Sequence, residues 1–489
     1  MSINVKENIE RFATTKVIDS VVDDWKKDPE HNVKASVDKI AGAAEKLPLQ
    51  PLFKQQLQQV KGLIDGDRPA KRLLINLLND TDANVFKTLA KDFIVEGSWL
   101  GVRRQRAVGE EGGFNVPWFM LIDPTERCNY QCTGCWAGSY QQAKEMSFET
   151  FDRVLKEASD LGIHFVVVSG GEPTCYPRLI DIFNAHRDMA FMFYTNGSLF
   201  TEKFVEELRN VGNAVPCFSV EGFKEKTDER RGEGAWDRVM LAMDRCMKAG
   251  IPFGYSVTET HQNIAEVTSD AFVDHMINKG AKLGWYFQYI PIGRTPDLGM
   301  MLTPEERLQS YHRIHEIRSS KPVFVADFWN DGPYTGGCIA GARRYFHVTA
   351  DGNIEPCAFI HLTQGNINEM SLKDALQLPF FQEMQKLQPY SDNALAPCIL
   401  IDHPDYFRKI AAMPGVRGTD GTVENMSGEV GAHLDKLSKE WETLSHPVYM
   451  NDFPEESAKF AQLKKEKVAN IERHGGDMRA FYTDPTIEK

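Results

Sequence analysis

Between about Val116 and Ser320, short β-rich runs alternate with helical ones, and no other feature of the sequence narrows its fold as far. The candidate strands are Trp118–Ile122, His164–Ser169, Ala190–Thr195, Val215–Val220, Pro252–Thr258 and Gly284–Ile290. Between them the helical pattern covers Ser147–Leu161, Glu202–Val211, Ala235–Ala249 and Ile264–Lys279, with Ser147 placed to cap the first. Strand–helix alternation at this spacing implies an α/β fold, a parallel sheet built from right-handed βαβ units. Ligands of such sheets bind at the carboxyl ends of the strands.

The flanks read differently. Helical spacing of apolar residues recurs before residue 110: Ile18, Val21, Val22 and Trp25; Val33, Val37, Ile40 and Ala44; Phe53, Leu57, Val60 and Ile64; then Val85, Leu89 and Phe93 after Asp82. Two readings of this region stay open: a helical bundle packed on the next domain, or a cap touching substrate or the periphery of a membrane. The helices carry mixed charge rather than a basic face. A region from about Pro322 to Ala412 holds a second cysteine set. Pro414–Gly431, rich in Gly, Thr, Ser and Glu, reads as a mobile loop. The tail is helical again, with Leu434, Leu437, Trp441 and Leu444 on one face. The expected domains are therefore 1–110, 111–321, 322–412 and 413–489. A net charge of −13 argues against a nucleic-acid partner, because phosphate binding needs basic surface. The start MSINVKENIERF lacks the apolar run of a signal peptide, and no stretch approaches the roughly 20 apolar residues of a membrane span. The expected location is the cytoplasm, where clustered cysteines read as metal ligands rather than disulfides.

Six of the nine cysteines fall into two arrangements with ligand spacing. The first, Cys128-Asn-Tyr-Gln-Cys132-Thr-Gly-Cys135, sets three thiols in a loop directly after the first strand. An electron-carrying [4Fe–4S] cluster takes four cysteines, so three leave one iron open, as a catalytic metal keeps an open position. Zinc is the structural alternative, though it prefers four protein ligands. The motif resembles the signature of the radical S-adenosylmethionine (SAM) superfamily, CxxxCxxC after the first strand of a partial (β/α)6 TIM-like barrel. Later strand ends strengthen the likeness: Ser169-Gly170-Gly171-Glu172-Pro173, Thr195-Asn196-Gly197 and Ser219-Val220-Glu221-Gly222. The resemblance implies that Gly170, Gly171 and Glu172 meet the SAM methionine amino group. It implies further SAM contacts at Thr195, Asn196, Ser219 and Glu221, with Arg231 facing the SAM carboxylate and Ser256 or Thr258 facing the site. It departs from the family at Gly134, where an aromatic residue often precedes the third cysteine. The implied chemistry is reductive cleavage of SAM at the cluster to a 5′-deoxyadenosyl radical, which takes hydrogen from an unactivated C–H bond. An electron donor such as flavodoxin or ferredoxin is implied with it.

The second arrangement is Cys338, thirteen residues, Gly352, four residues, Cys357. The intervening text reads as a β-hairpin turning at Asp351-Gly352, which would bring the two cysteines together. Its spacing resembles the element that opens SPASM and Twitch auxiliary-cluster domains, with Cys398 as the third ligand. No cysteine follows Cys398, so one auxiliary [4Fe–4S] cluster is expected, its fourth ligand being Asp402, His403, substrate or water. Zinc from the same residues is the alternative. Cys175, Cys217 and Cys246 read as small core residues.

The substrate is less constrained. The run from Asn115 to Cys128 and the Cys135-Trp136-Ala137 that follows look most like the branch containing tetraether lipid synthases, over about residues 85–410. That likeness implies C–C bond formation on a lipid chain, whose mark would be a long apolar tunnel to the reacting carbon. A wide polar groove would favour a peptide-modifying maturase. A non-catalytic iron–sulfur electron carrier is the reading from a different class.

Overall fold

The computed structural model describes residues 5–45, 58, 61–66, 68–138 and 144–484. Strands β1 (Phe119–Ile122), β2 (Phe165–Val168), β3 (Ala190–Thr195), β4 (Ala214–Val220), β5 (Gly254–Glu259), β6 (Leu283–Gln288) and β7 (Phe324–Asp327) each pair in parallel with the next. Strands covered on both faces need apolar residues at every position rather than alternation. β1, Phe-Met-Leu-Ile, is buried throughout, and β2 is Phe-Val-Val-Val.

Local chemistry sets the intervening helices. Ser147, Thr201 and Ser269 accept the N–H groups of Thr150, Phe204 and Phe272 as N-caps, and Gly162, Gly212 and Gly250 end helices in the left-handed conformation. Ser269 also explains a difference from the expected Ile264–Lys279 helix. The chain forms two short helices, Ile264–Val267 and Asp270–Asn278, because that serine starts the second one afresh.

The sheet does not close. β7 forms one edge, and at the other β1 is extended by β8 (His347–Val348), parallel to it, and β9 (Ile354–Glu355), antiparallel to β8. The architecture is an open, partial (β/α) barrel whose sheet continues into the cysteine-bearing hairpin. The hairpin turns at Gly352, whose φ of +88° suits glycine.

At the amino-terminal end, Val21, Trp25, Val33, Val37, Ile64, Ile75 and Leu78 form a separate helical core. The expected helix through Phe53, Leu57 and Val60 lies outside the described residues. After Ala83–Ala90 the chain widens into a π-helix over Lys91–Leu100. The wider turn rotates the apolar face, so Val95, Trp99 and Leu100 are buried. Phe93, expected in line with Val85, is 37% exposed and meets Trp118 and Phe165 edge-on.

Pro414–Gly431 is not the loose loop its composition suggests. β11 (Arg417–Gly418) pairs with β10 (Leu362–Thr363), Thr422–Asn425 is helical, and Thr422 and Met426 are buried. The polar side chains dock onto the hairpin: Arg417 donates to Asn353 Oδ1 at 2.6 Å and Thr419 to Glu355. Helices Glu429–Asp452, Pro454–Arg473 and Met478–Thr483 follow, with Leu434 and Trp441 buried and Leu437 and Leu444 packed at the margin. Among the described residues, no helix is long and apolar enough to cross a membrane.

Candidate active site and auxiliary cysteine site

The loop after β1 carries Cys128, Cys132 and Cys135, and three neighbouring strand ends hold it. Gly171 N–H donates to Thr125 O at 2.9 Å and Glu172 N–H to Arg127 O at 2.8 Å. A Cβ on Gly171 would stand 2.2 Å from Arg127 O, so this glycine is required for the β2 end to pack on the cysteine loop. From the β3 end, Asn196 donates to Asn129 Oδ1 at 2.9 Å. From beyond β4, Arg230 straps the loop, donating to Thr133 O at 3.1 Å and Gly134 O at 3.3 Å.

One cavity at these strand ends is lined by all three cysteines together with Ser169, Gly170, Gly171, Glu172, Thr195, Asn196, Ser219, Arg231, Ser256 and Thr258. Glu172 is buried, and burial pushes its carboxyl upward against the hydrogen bonds it accepts. Its Oε1 accepts from Thr174 N–H at 3.1 Å, Thr174 Oγ1 at 2.6 Å and Thr195 Oγ1 at 2.7 Å; Oε2 accepts from Asn196 N–H at 2.7 Å. The carboxylate thus ties β2 to β3 and leaves Oε2 as the oxygen with room for a further donor.

Glu221, expected to contact SAM, is placed differently from its neighbour Ser219. It does not line the cavity but stands behind it, where Oε1 accepts from Arg230 at 2.6 Å and from Arg231 Nε at 2.8 Å. A buried carboxylate beside two guanidinium groups is held by them rather than by a ligand. Arg231 is on the wall, fixed by this pair. Burial opposes its charge, and Glu221 overrides that, holding Arg231 above its ordinary range.

The rest of the lining is largely apolar: Leu121 and Val167 from the barrel interior, then Tyr194, Trp285, Phe287 and Phe359. Trp285 stacks on Phe287 with centroids 5.6 Å apart and planes 13° apart. Gln288, at the end of β6, lines the same cavity and has no hydrogen-bond partner for its buried Nε2. Arg230, Tyr289 and Gln288 were not expected as site residues; only the adjacency of Arg230 to Arg231 hinted at one of them.

The second cysteine set lies behind this apolar wall. Burial pushes the Cys357 thiol up to about 12; hydrogen bonds from Tyr345 and Phe359 oppose this, and the neighbouring Cys338 adds to it. Burial likewise pushes the Cys398 thiol upward, with Asp402 and then Cys338 adding to it. Asp402 and His403, two of the four candidates for the fourth ligand, already have partners. Asp402 accepts from Arg307 at 2.6 Å in a buried ion pair and from Cys398 N–H at 2.9 Å, and His403 Nε2 contacts Ala396 O at 2.8 Å. A buried arginine commits a carboxylate more firmly than an open ligand position would. Cys217 and Cys246 are buried in the core, and Cys175 is half-buried away from the cavity wall.

The donor sets fit iron–sulfur clusters. Burial pushes the Cys135 thiol upward and its neighbour Cys132 adds to the push, a cost that cluster irons reverse. Among the described residues, no three His, Cys, Asp or Glu side chains converge as a single metal ion requires.

A parallel partial barrel with three cysteines after its first strand defines the radical SAM class. Residues 122–269 match the radical SAM superfamily, and residues 338–399 match SPASM, an iron–sulfur cluster-binding domain. The chain carries a radical SAM domain and a SPASM domain, and proteins of the radical SAM family are enzymes. Its radical SAM domain binds a [4Fe–4S] cluster and SAM, and its SPASM domain binds additional iron–sulfur clusters. The chain is 25% identical over 289 residues to an AdoMet-dependent heme synthase of Methanosarcina barkeri, covering 53% of this chain and 82% of that protein. It is also 25% identical over 271 residues to the sporulation killing factor maturation protein SkfB of Bacillus subtilis, covering 53% of this chain and 64% of that protein. In fold it is similar to Streptococcus suis SuiB bound to its precursor peptide SuiA, with a TM-score of 0.50 and 17% identity over 66% of this chain and 84% of that one.

Proposed function

We propose that this enzyme takes hydrogen from an unactivated C–H bond of an apolar substrate, with C–C bond formation on a lipid chain as the outcome. The observation that carries the reading is the mixed lining of the cavity: thiols and strand-end polar groups together with barrel-interior aliphatic and aromatic side chains. When bound, the cluster and SAM would supply the 5′-deoxyadenosyl radical.

In this reading Cys128, Cys132 and Cys135 hold the first cluster. Glu172 Oε2 and the Gly170–Gly171 backbone receive the SAM amino group, and Arg231 pairs with its carboxylate. Thr195, Asn196 and Ser219 contact the rest of SAM. The apolar wall orients substrate and excludes water. Cys338, Cys357 and Cys398 hold one auxiliary [4Fe–4S] cluster. A flavodoxin or ferredoxin delivers the electron in a reducing, cytoplasmic setting.

A peptide substrate is the second reading, favoured by the maturation protein SkfB among the relatives. The test is anaerobic reconstitution, then 5′-deoxyadenosine analysis after adding SAM, dithionite and either perdeuterated long-chain lipids or deuterated peptides. Deuterium in 5′-deoxyadenosine from the lipids supports the proposal. Deuterium transfer from peptides alone would replace it with the maturase reading.

A further inference from the structure

Tyr345 borders the first cysteine site and contacts the second. Its ring lines the active-site cavity and stacks nearly parallel on Phe119 of β1, centroids 5.0 Å and planes 8° apart. Its hydroxyl lies 2.6 Å from Cys357 Sγ. The residue is 2% exposed, so water does not compete for that hydroxyl. Ala358 and Phe359, which follow Cys357, line the same cavity. The far wall of the cavity is therefore built from the segment that carries Cys357, with Tyr345 bridging wall and sulfur.

We infer that Tyr345 is a positioning residue that tunes the auxiliary cluster, its hydroxyl donating to the Cys357 sulfur while its stacked ring fixes that donor against the substrate cavity. The inference rests on reading Cys338, Cys357 and Cys398 as cluster ligands. Hydrogen bonds to ligating sulfur draw off electron density and favour the reduced cluster, which raises its potential. The other donor at Cys357 is the Phe359 N–H at a longer 3.5 Å, and those at Cys128 and Cys398 are backbone N–H groups at 3.4 Å. Tyr345 is thus a side-chain donor that one substitution removes. Because β1 presents Phe119 to the same ring, the donor's position is set by the barrel and not by the auxiliary domain alone.

The test uses the full chain, anaerobically reconstituted, as wild type and Tyr345→Phe. Iron is counted and each cluster is titrated by redox-poised electron paramagnetic resonance, the SAM-binding cluster being the one whose signal changes on adding SAM. The expected result is unchanged iron, an auxiliary midpoint shifted to more negative potential, and an unshifted SAM-binding cluster. 3-Fluorotyrosine at position 345, a stronger donor of nearly equal size, should shift the auxiliary midpoint the opposite way. This second variant decides the matter if Tyr345→Phe loads poorly. An auxiliary midpoint that neither variant moves overturns the inference while leaving the cluster reading intact. A wild-type chain with no second cluster signal overturns both. A tyrosinate-to-iron charge-transfer band in the wild type would also overturn it, since the oxygen would then be a ligand and not a donor.

Discussion

Gly134 and Tyr289 are in direct apposition: a Cβ on Gly134 would stand 2.7 Å from Cε2 of the Tyr289 ring, and Gly134 has a φ of +62°. Tyr289 lines the active-site cavity and is held by the Asp297 N–H, which donates to its hydroxyl at 3.0 Å. An aromatic ring thus faces Gly134 from just past the end of β6. Aromatic stacking is worth about 0.5–1.5 kcal/mol, up to roughly tenfold in affinity. Tyr289→Leu should weaken SAM binding by about that factor with iron content unchanged, as measured by calorimetry on the reconstituted enzyme. Unaltered affinity would remove Tyr289 from the SAM site.

The two cysteine sets should be separable by mutation. Cys132→Ala should abolish 5′-deoxyadenosine formation while circular dichroism stays that of the folded chain, because the loop is held by backbone contacts from Gly171 and Arg230 rather than by the thiol. Cys338→Ala should keep SAM binding and lose about four irons. Product from the first variant, or full iron in the second, would contradict these assignments.

How much of this was legible in the sequence depended on how local each signal was. The strands of the barrel announce themselves because burial on both faces leaves unbroken apolar runs such as Phe165–Val168. Ser147 and Thr201 mark helix starts through contacts only three residues long. The cysteine loop and the Gly170–Gly171–Glu172 turn carry their own spacing. What escaped was relational. Two-residue β8 is too short to show a period, and it exists because β1 offers it a free edge. Glu221 looks like its neighbour Ser219 as a strand-end polar group, and only the two arginines at its back withdraw it from the cavity. Tyr289 lies far along the chain from the Gly134 it faces, and Tyr345 meets Cys357 only once the hairpin has formed. Pro414–Gly431 has a loop's composition and acquires order through distant partners, among them β10 and the hairpin residues Asn353 and Glu355.

The Glu221 clamp should fail in a characteristic way. With Glu221→Gln, two arginines with side chains only 12% and 13% exposed lose their carboxylate. Breaking a buried pair by removing one partner costs about 3–5 kcal/mol, because the remaining charge is left unpaired. The variant should unfold at lower urea and, since Arg230 straps Thr133 and Gly134, should load its SAM-binding cluster poorly while retaining the auxiliary one. Equal loss of both clusters would mean general unfolding rather than a loosened loop.

Asp92 should make stability depend on pH. It lies in the π-helix, fully buried, with no hydrogen-bond partner on either carboxylate oxygen and Lys91 Nζ at 3.4 Å. Glu96 and Asp188 also face it, and burial above all pushes its carboxyl up to about 7. The unfolded chain ionises this group near 3.8, so between about pH 4 and 7 the unfolded state gives up the proton first. The native state therefore holds its full advantage below that window, and loses it as pH rises through 7. Asp92→Asn cannot ionise and should be more stable than wild type by about 2–4 kcal/mol at pH 8, since each pK unit is worth about 1.4 kcal/mol. The gap should shrink toward zero at pH 4, as followed by urea unfolding at both values. A pH-independent difference would mean that Asp92 is ionised in the folded protein and that Lys91 offsets the cost of burying it.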